Sequence, residues 1–274
     1  MRRLILALLL LALAPATAAA GDVGGYLASS LDSQGCAAEP GGSASVNLTS
    51  WVAVGLVASG RSATSAADCI ERRSSELRSA TDLELAILAL VAAGREPRDL
   101  ATRLAREIRN GRIGPTPASN QFGILALRAL GQPVPAAVKA TLLRDQNRDG
   151  TWPVLPGGDG DSNLTASGIA AAIAAGVPAS DSRIQRAVRA LAGFRSGGGY
   201  ALARGSRPDA QSTAWVLQGL AAAGRRDPAA EAYLRGLTQG SGLVQYQRGL
   251  TITPVWVTAQ SAVGLARRSF PLTP

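Results

Sequence analysis

The sequence predicts an all-α protein, an (α/α)6 toroid in which six inner helices form a ring inside about six outer helices. Three observations predict this fold. Apolar segments recur about every forty residues, most of them end in a glycine, and amphipathic segments alternate with them. A helix that is apolar on nearly every face is buried, whereas an amphipathic helix has one solvated face. The alternation therefore indicates two concentric layers.

Five apolar segments end at a glycine, and a sixth follows the same pattern without one. They are VNLTSWVAVGLVASG, ATDLELAILALVAAG, ASNQFGILALRALG, SNLTASGIAAAIAAG, AQSTAWVLQGLAAAG and PVWVTAQSAVGLARR. The closing glycines are Gly60, Gly94, Gly131, Gly176 and Gly224, spaced by 34, 37, 45 and 48 residues. A final glycine suits the left-handed C-cap of a helix, and Ser, Asn and Thr near each start suit N-capping. Each segment is therefore predicted to be one inner helix.

The segments between them have one apolar stripe each. In DSRIQRAVRALAGFR, the residues Ile184, Val188 and Leu191 share a face, and EPRDLATRLAREIRN behaves in the same way. An open superhelical solenoid is the alternative architecture, and it would show uniform repeats with polar capping units. Here the repeat length varies and the inner helices lack a polar concave face, which favours the closed ring.

The first twenty residues, MRRLILALLLLALAPATAAA, have a basic pair, an apolar run and a small-residue cleavage pattern. These are typical of a secretory signal peptide, and the apolar run is shorter than the ~20 residues that span a bilayer. We therefore expect residues 1–20 to be removed and residues 21–274 to form one toroid domain in the periplasm or outside the cell, with no transmembrane segment. In that compartment the two cysteines, Cys36 and Cys69, are expected to form a disulfide. Two buried thiols are the alternative.

The chain carries a net charge of +9, almost all of it from arginine, because Lys139 is the sole lysine. The arginines recur along the whole chain and do not form one patch interleaved with aromatic residues, so a nucleic-acid partner is not expected. Weak attraction to anionic surfaces is compatible with this charge.

One stretch carries a family resemblance. QNRDGTW, from Gln146 through Gly150 to Trp152, resembles the Gln-to-Trp repeat motif of squalene and hopene cyclases, and PDAQSTAWVLQGLAAAG is similar to the inner-helix segment of the same superfamily. That superfamily also contains protein prenyltransferase β-subunits and the helical domain of cobalamin carriers. The resemblance implies a structural role for the motif: the Gln side chain bridges backbone groups of successive helices and the indole packs on helix ends. Tyr200 and Tyr246 stand where later repeats would have the Trp.

The resemblance also sets a test for catalysis. A cyclase of this superfamily protonates its isoprenoid with the middle acid of an Asp-x-Asp-Asp motif placed directly before the Thr-Ala of an inner helix. In the fourth repeat that acid position holds Asn163, and Asp161 stands two residues earlier. In the fifth repeat the position holds Gln211, after Asp209, and in the first it holds Asn47. Amides cannot supply the proton, and only 4% of residues are aromatic, few for stabilising carbocations.

The sequence bears on two kinds of metal site. The prenyltransferase zinc site uses Asp, Cys and His, and the chain has no histidine, so that activity and its metal are excluded. Asp145, Asn147, Asp149 and Gly150 fit the first half of a calcium loop, but the twelfth position, which should carry a bidentate carboxylate, is Pro156. A structural turn is the favoured interpretation, with calcium as the alternative, and we predict no cofactor.

Carboxylate chemistry is the remaining enzymatic hypothesis. Glycosidases use paired carboxylates, and Asp159 and Asp161 are the weak catalytic candidates, with Asp82 and Asp209 beside them. Each lies near the start of an inner helix, where a carboxylate also serves as a cap.

The leading hypothesis is a non-catalytic binding protein. All inner helix N-termini open on one face, and polar side chains there are expected to hold a small amphipathic or apolar ligand, isoprenoid or corrinoid-like, while tryptophans supply apolar contact. The predicted ligand-binding residues are Asn47, Trp51, Asp161, Asn163, Asp209, Gln211, Trp215 and Trp256. An enzyme, either a reduced terpene cyclase or a carboxylate-dependent polysaccharide enzyme, and a protein-interaction scaffold are the alternatives.

Overall fold

The structure is a computed structural model that describes residues 21–273. The predicted signal peptide, residues 1–20, lies outside the described residues. Helices dominate in the order α1 (Val23–Ser29), α2 (Val46–Ala58), α3 (Thr64–Arg72), α4 (Ala80–Ala92), α5 (Arg98–Arg106), α6 (Pro117–Ala129), α7 (Ala136–Arg144), α8 (Ser162–Ala174), α9 (Ser182–Leu191), α10 (Ala210–Ala222), α11 (Pro228–Gly236) and α12 (Pro254–Leu265). Short 3-10 turns, Ser74–Glu76 and Ala192–Phe194, follow α3 and α9.

The even-numbered helices form a closed inner ring, and the odd-numbered helices pack outside it. Each inner helix contacts the next, and α12 contacts both α10 and α2. Closure excludes the open solenoid and confirms the predicted toroid. The helices approach closely where side chains are small: a Cβ added to Gly55 in α2 would lie 3.0 Å from the Cα atom of Ala259 in α12.

Three antiparallel hairpins of two-residue strands precede inner helices. They pair β1 (Ile108–Arg109) with β2 (Arg112–Ile113), β3 (Trp152–Pro153) with β4 (Gly160–Asp161), and β5 (Arg195–Ser196) with β6 (Gly199–Tyr200). The segments RNGRIG and RSGGGY lie in the first and third of these hairpins, at the places where the third and fifth repeats would have the Gln-to-Trp motif. The corresponding segment before α12, GSGLVQY, has no strand pair; its Val244 forms an isolated bridge with Thr238.

The ends of the inner helices follow the predicted pattern. All five closing glycines, Gly60, Gly94, Gly131, Gly176 and Gly224, have positive φ angles, as the left-handed C-cap requires. The sixth repeat lacks the glycine, and Arg267 adopts the left-handed conformation in its place, with φ at 56°. The N-caps are side chains of Ser45, Ser79, Thr116, Asp161 and Asp209, which accept backbone N–H groups of the first turn.

Threonine hydroxyls near the start of three inner helices accept hydrogen bonds from the segments that precede those helices. The Oγ1 atoms of Thr165, Thr213 and Thr258 accept the backbone N–H of Trp152, Tyr200 and Val244 at 3.1, 3.0 and 2.9 Å. Each bond ties the inner helix to the segment that leads into it. In the sixth repeat the residue at the Trp position is therefore Val244, and the expected placement of Tyr246 there is wrong.

The first and last repeats are joined by a carboxylate. The Glu39 side chain accepts the N–H groups of Val255 and Trp256 at 2.9 and 2.8 Å, and thereby caps α12, whose own N-cap residue Thr253 supplies no side-chain bond. Glu39 lies three residues after Cys36, which is disulfide-bonded to Cys69 with a Cα separation of 5.4 Å. The predicted disulfide is confirmed, and it holds the loop that closes the ring.

Within residues 21–273, no helix is both long enough and apolar enough to span a membrane.

Candidate functional site

The face of the ring at which the six inner helices begin is here named the mouth face. The partial positive charges of six helix N-termini point toward it. First-turn side chains of four inner helices lie at its rim. Asn47, Asn163 and Gln211 are the second residues of α2, α8 and α10, and Trp256 is the third residue of α12, two residues before Thr258 as the amides are two residues before Thr49, Thr165 and Thr213. The positions that the cyclase motif reserves for its acid therefore lie on this face.

The rim amides have partners within the protein. The Asn47 Nδ2 atom donates to Asp82 Oδ1 at 2.6 Å and joins α2 to α4. The Gln211 Nε2 atom donates to Gln260 Oε1 at 2.9 Å and joins α10 to α12. Asn47 is exposed, and Gln211 is half-buried, so both amides keep donor or acceptor capacity facing outward.

Two rim aspartates are helix caps. Asp161 Oδ1 accepts the N–H of Leu164 at 2.7 Å, and Asp209 accepts both the N–H and the hydroxyl of Ser212 at 2.8 Å. Burial raises the pKa of Asp161, against hydrogen bonds from Leu164 and Asn163 that lower it. Burial likewise raises the pKa of Asp209, opposed by bonds from Ser212. Both carboxyls are therefore structural groups with reduced acidity.

Asp159 lies apart from them, in the exposed loop between β3 and β4. That loop and the segment before α10 surround an open polar depression of about 660 Å³, lined by Asp149, Asp159 and Arg204 among others. Arg204 pairs with Asp149 across it at 2.8 Å. The two weak catalytic candidates, Asp159 and Asp161, thus differ in setting: the first is solvated, and the second is half-buried and capping.

The axis of the ring is filled by four aromatic side chains, here named the aromatic tetrad: Trp51, Phe122, Trp215 and Phe270. Every pair has ring centroids between 5.7 and 6.5 Å apart, and the Trp51–Trp215 pair is edge-to-face at 5.9 Å. The first three are the sixth residues of α2, α6 and α10, whereas Phe270 comes from the C-terminal segment after α12. All four are buried.

The structure therefore divides the predicted ligand-binding residues. Asn47, Asn163, Gln211 and Trp256 lie at the rim, Asp161 and Asp209 cap helices beside it, and Trp51 and Trp215 form the floor. Sequence reasoning missed the two phenylalanines. Phe122 had a signal, because it shares the helical position of Trp51 and Trp215, but Phe270 lies in a segment without periodicity.

Other buried polar groups face the interior. Gln260 Oε1 also accepts the Trp215 indole N–H at 3.2 Å. Gln218, one turn after Trp215, is buried with neither side-chain polar atom bonded, and both carboxyl oxygens of Glu84 in α4 are buried without a partner. Burial raises the pKa of Glu84 well above its usual range, and the Glu107 carboxylate adds to the effect.

The Gln-to-Trp motif holds backbone together. Gln146 Nε2 donates to the carbonyls of Gly150 and Arg183 at 3.0 and 3.1 Å. The indole N–H of Trp152 donates to the Leu142 carbonyl at 2.9 Å, and its ring packs on Gly168, where an added Cβ would lie 2.6 Å from the indole. These contacts match the structural role that the resemblance implies.

The acidic groups of the half calcium loop are engaged elsewhere. Asp145 pairs with Arg112 at 2.8 Å, and Asp149 accepts the N–H and hydroxyl of Thr151 at 3.0 and 2.7 Å. Among residues 21–273, no three His, Cys, Asp or Glu side chains are grouped as metal ligands.

Solved structures share this fold. A variant of the type II terpene cyclase MstE from Scytonema, in complex with the substrate geranylgeranyl dihydroxybenzoate, aligns with a TM-score of 0.70 at 16% identity, over 90% of this chain and 95% of that one. The ent-copalyl diphosphate synthase from Streptomyces platensis aligns with a TM-score of 0.59 at 19% identity, over 81% of this chain and 50% of that one. A glycosidase aligns with a TM-score of 0.65 at 15% identity, over 90% and 95%.

No protein-family model matches the chain, and no curated protein matches it in sequence. At these identities the structural likeness establishes the fold, a terpene cyclase-like α/α toroid, and the function has to be argued from the site.

Proposed function

We propose that this toroid is an exported, non-catalytic binding protein whose mouth face takes a small amphipathic or apolar ligand, isoprenoid or corrinoid-like. One observation carries the proposal: the second residue of three inner helices, α2, α8 and α10, is an amide, Asn47, Asn163 and Gln211, at the position where a cyclase of this fold needs an acid. Amides bind polar groups by hydrogen bonds without transferring a proton. The disulfide between Cys36 and Cys69 supports a site of action outside the cytoplasm.

The floor of the site supports binding at the rim. The aromatic tetrad occupies the ring axis, so a ligand rests above Trp51 and Trp215 and does not thread the ring. Its polar group faces the amides and the helix N-termini, and its apolar part lies against Trp256, which is 37% exposed at the edge. A polyene cyclisation would instead need an enclosed cavity along that axis.

Native mass spectrometry of the chain purified from its own periplasm or medium, followed by ligand extraction, tests the proposal. We expect a bound molecule of the stated class. Asn163→Ala should lower its occupancy, because Asn163 lies at the rim of the mouth face, and the N-cap of its helix is Asp161. Gln132→Ala is the matched control, since Gln132 is an exposed amide after α6, at the opposite end of the ring. An empty protein under native conditions would contradict the proposal.

A carboxylate-dependent enzyme is the second candidate, favoured by the raised pKa of two neighbouring rim carboxyls, Asp161 and Asp209. Asp161→Asn separates the two functions, because Asn caps a helix about as well as Asp. Fold stability should be kept in this variant. Loss of turnover on an extracted molecule would support catalysis by Asp161, whereas unchanged ligand occupancy without turnover in either protein supports binding.

A further inference from the structure

The large exposed apolar side chains within residues 21–273 share one location. Six large apolar residues are exposed in residues 21–273, at 37–65% of their surface. All six lie on the mouth face, in the loops that lead into α8, α10 and α12 or in the first turn of α12: Val154, Leu155, Leu202, Leu250, Ile252 and Trp256. Scattered exposed apolar residues need no explanation, but a set confined to one face indicates an interaction surface.

These loops are joined into one shelf, here named the apolar shelf. The backbone carbonyl of Leu202 accepts the N–H of Ser162 at the start of α8 at 3.1 Å, and the carbonyl of Tyr246 accepts the N–H of Ala210 at the start of α10 at 2.8 Å. Each loop thus leans over the neighbouring inner helix. The six exposed side chains therefore occupy adjacent repeats.

Arginines stand among the apolar tips. Arg148, Arg207 and Arg248 are exposed in the same three loops, and none of them forms an ion pair within residues 21–273. All three lie on the mouth face, toward which the positive ends of the inner helices point. At the other end of the ring, in contrast, Arg95 and Arg225 follow helix C-termini, where a cation is stabilised.

We propose that the apolar shelf docks onto an anionic lipid surface. Apolar tips that enter the interfacial region, with arginines beside them that bind lipid phosphates, are the arrangement by which a protein lies on a membrane without spanning it. Trp256 at the edge suits the interface, where indoles are enriched. A second copy meeting this face to face would oppose arginine with arginine, which disfavours that occupant.

Flotation of the purified chain with vesicles tests the proposal independently of the small ligand, because the vesicles contain phosphatidylglycerol and phosphatidylcholine alone. We expect binding to mixed vesicles at low salt, weaker binding at high salt and little to pure phosphatidylcholine. The double variant Arg207→Gln/Arg248→Gln should bind about 25-fold more weakly, from roughly fivefold for each arginine near an anionic surface. Arg128→Gln/Arg225→Gln makes the same charge change at the other end of the ring and should bind as the parent does.

The apolar contribution is tested by Leu155→Ser/Leu202→Ser/Leu250→Ser, which should lower binding at least tenfold with unfolding unchanged, since these side chains are exposed. The proposal would be overturned if the two arginine double variants bound anionic vesicles equally well. It would also be overturned if the parent protein did not bind anionic vesicles at low salt. So would a stable dimer in sedimentation equilibrium that the leucine variant dissociates, because the shelf would then be covered by a second copy. An acidic protein captured in preference to vesicles would likewise overturn it.

Discussion

Phe270→Ala probes a contact that joins the C-terminal segment to the ring axis. Phe270 is buried against Trp51, Phe122 and Trp215, with centroids 6.3, 6.5 and 6.2 Å away. In the described part of the chain, residues 269–273 hydrogen-bond only with each other and with Arg268: the Ser269 hydroxyl donates to the Phe270 carbonyl, and the Arg268 guanidinium donates to the Thr273 carbonyl. The buried side chains of Phe270 and Leu272 therefore hold it.

The expected loss of stability follows from these contacts. Burying a Phe side chain stabilises by about 1.5–3 kcal/mol, and each aromatic pair adds about 0.5 kcal/mol or more, so three pairs bring the total to about 3–4.5 kcal/mol. This agrees with the ~3–5 kcal/mol of Phe→Ala changes in cores. Release of Leu272 with the segment would place the loss at the upper end of that range.

Urea unfolding followed by circular dichroism at 222 nm measures the loss, and tryptophan emission reports the cause. The emission of Phe270→Ala should shift to the red, because water reaches the indoles of Trp51 and Trp215. Phe270→Leu keeps most of the apolar volume and should lose less than half as much. Leu155→Ala, at an exposed site, should change stability by less than about 0.5 kcal/mol. A loss under about 1 kcal/mol with unchanged emission would refute the packing role of the segment.

Three further predictions concern the frame of the ring. Replacing Cys36 and Cys69 by Ser should cost about 3.8 kcal/mol, the chain-entropy value for a loop of about 34 residues, measured by urea unfolding against the parent with and without reductant. Thr213→Val leaves the Tyr200 N–H without its acceptor and should lower the free energy of unfolding by about 1–3 kcal/mol. Thr213→Ser keeps the hydroxyl and should lose little of that stability. Equal losses in the two variants would contradict the importance of this hydrogen bond. Glu84 keeps its proton in the native state above pH 4.5, where the unfolded chain releases it, so stability should fall by about 1.4 kcal/mol per pH unit until the native pKa is reached. Glu84→Gln should remove that slope in unfolding measured from pH 4.5 to 7, and an unchanged slope would assign it to other groups.

The layered fold was predictable because its information is local and repeated. Periodicity marks the buried and amphipathic helices, and the closing glycines mark the C-caps wherever a repeat retains them. The side chains that cap inner helices could also be predicted from the sequence, since Asp161 and Asp209 lie directly before their helices. The placement of Tyr246 failed because the sixth repeat has no regular hairpin, and Val244 reaches the Thr258 hydroxyl.

The rest depends on contacts between distant parts of the chain. Glu39 caps α12 from across 216 residues, and nothing in its own segment indicates a helix end far along the sequence. Phe270 follows the last repeat, in a segment without helical pattern, so its insertion into the axis could not be read from spacing. The aromatic tetrad could therefore not be assembled from the sequence, although Trp51 and Trp215 were assigned to the site.

The two ends of the ring differ in what they leave for a partner. At the end where the inner helices finish, the segment after α12 inserts Phe270 into the axis, and Arg268 hydrogen-bonds the carbonyl of Thr273 at 2.7 Å, so the protein's own segment occupies that opening. At the mouth face, the helix N-termini, the rim amides and the apolar shelf are directed outward together. A ligand with one polar and one apolar part matches the polar rim and the apolar shelf of the mouth face. A lipid surface beside the mouth would supply molecules of this kind to the proposed site. The proposed ligand site and the proposed lipid contact therefore both require an accessible mouth face, whereas the opposite end of the ring is occupied by the C-terminal segment.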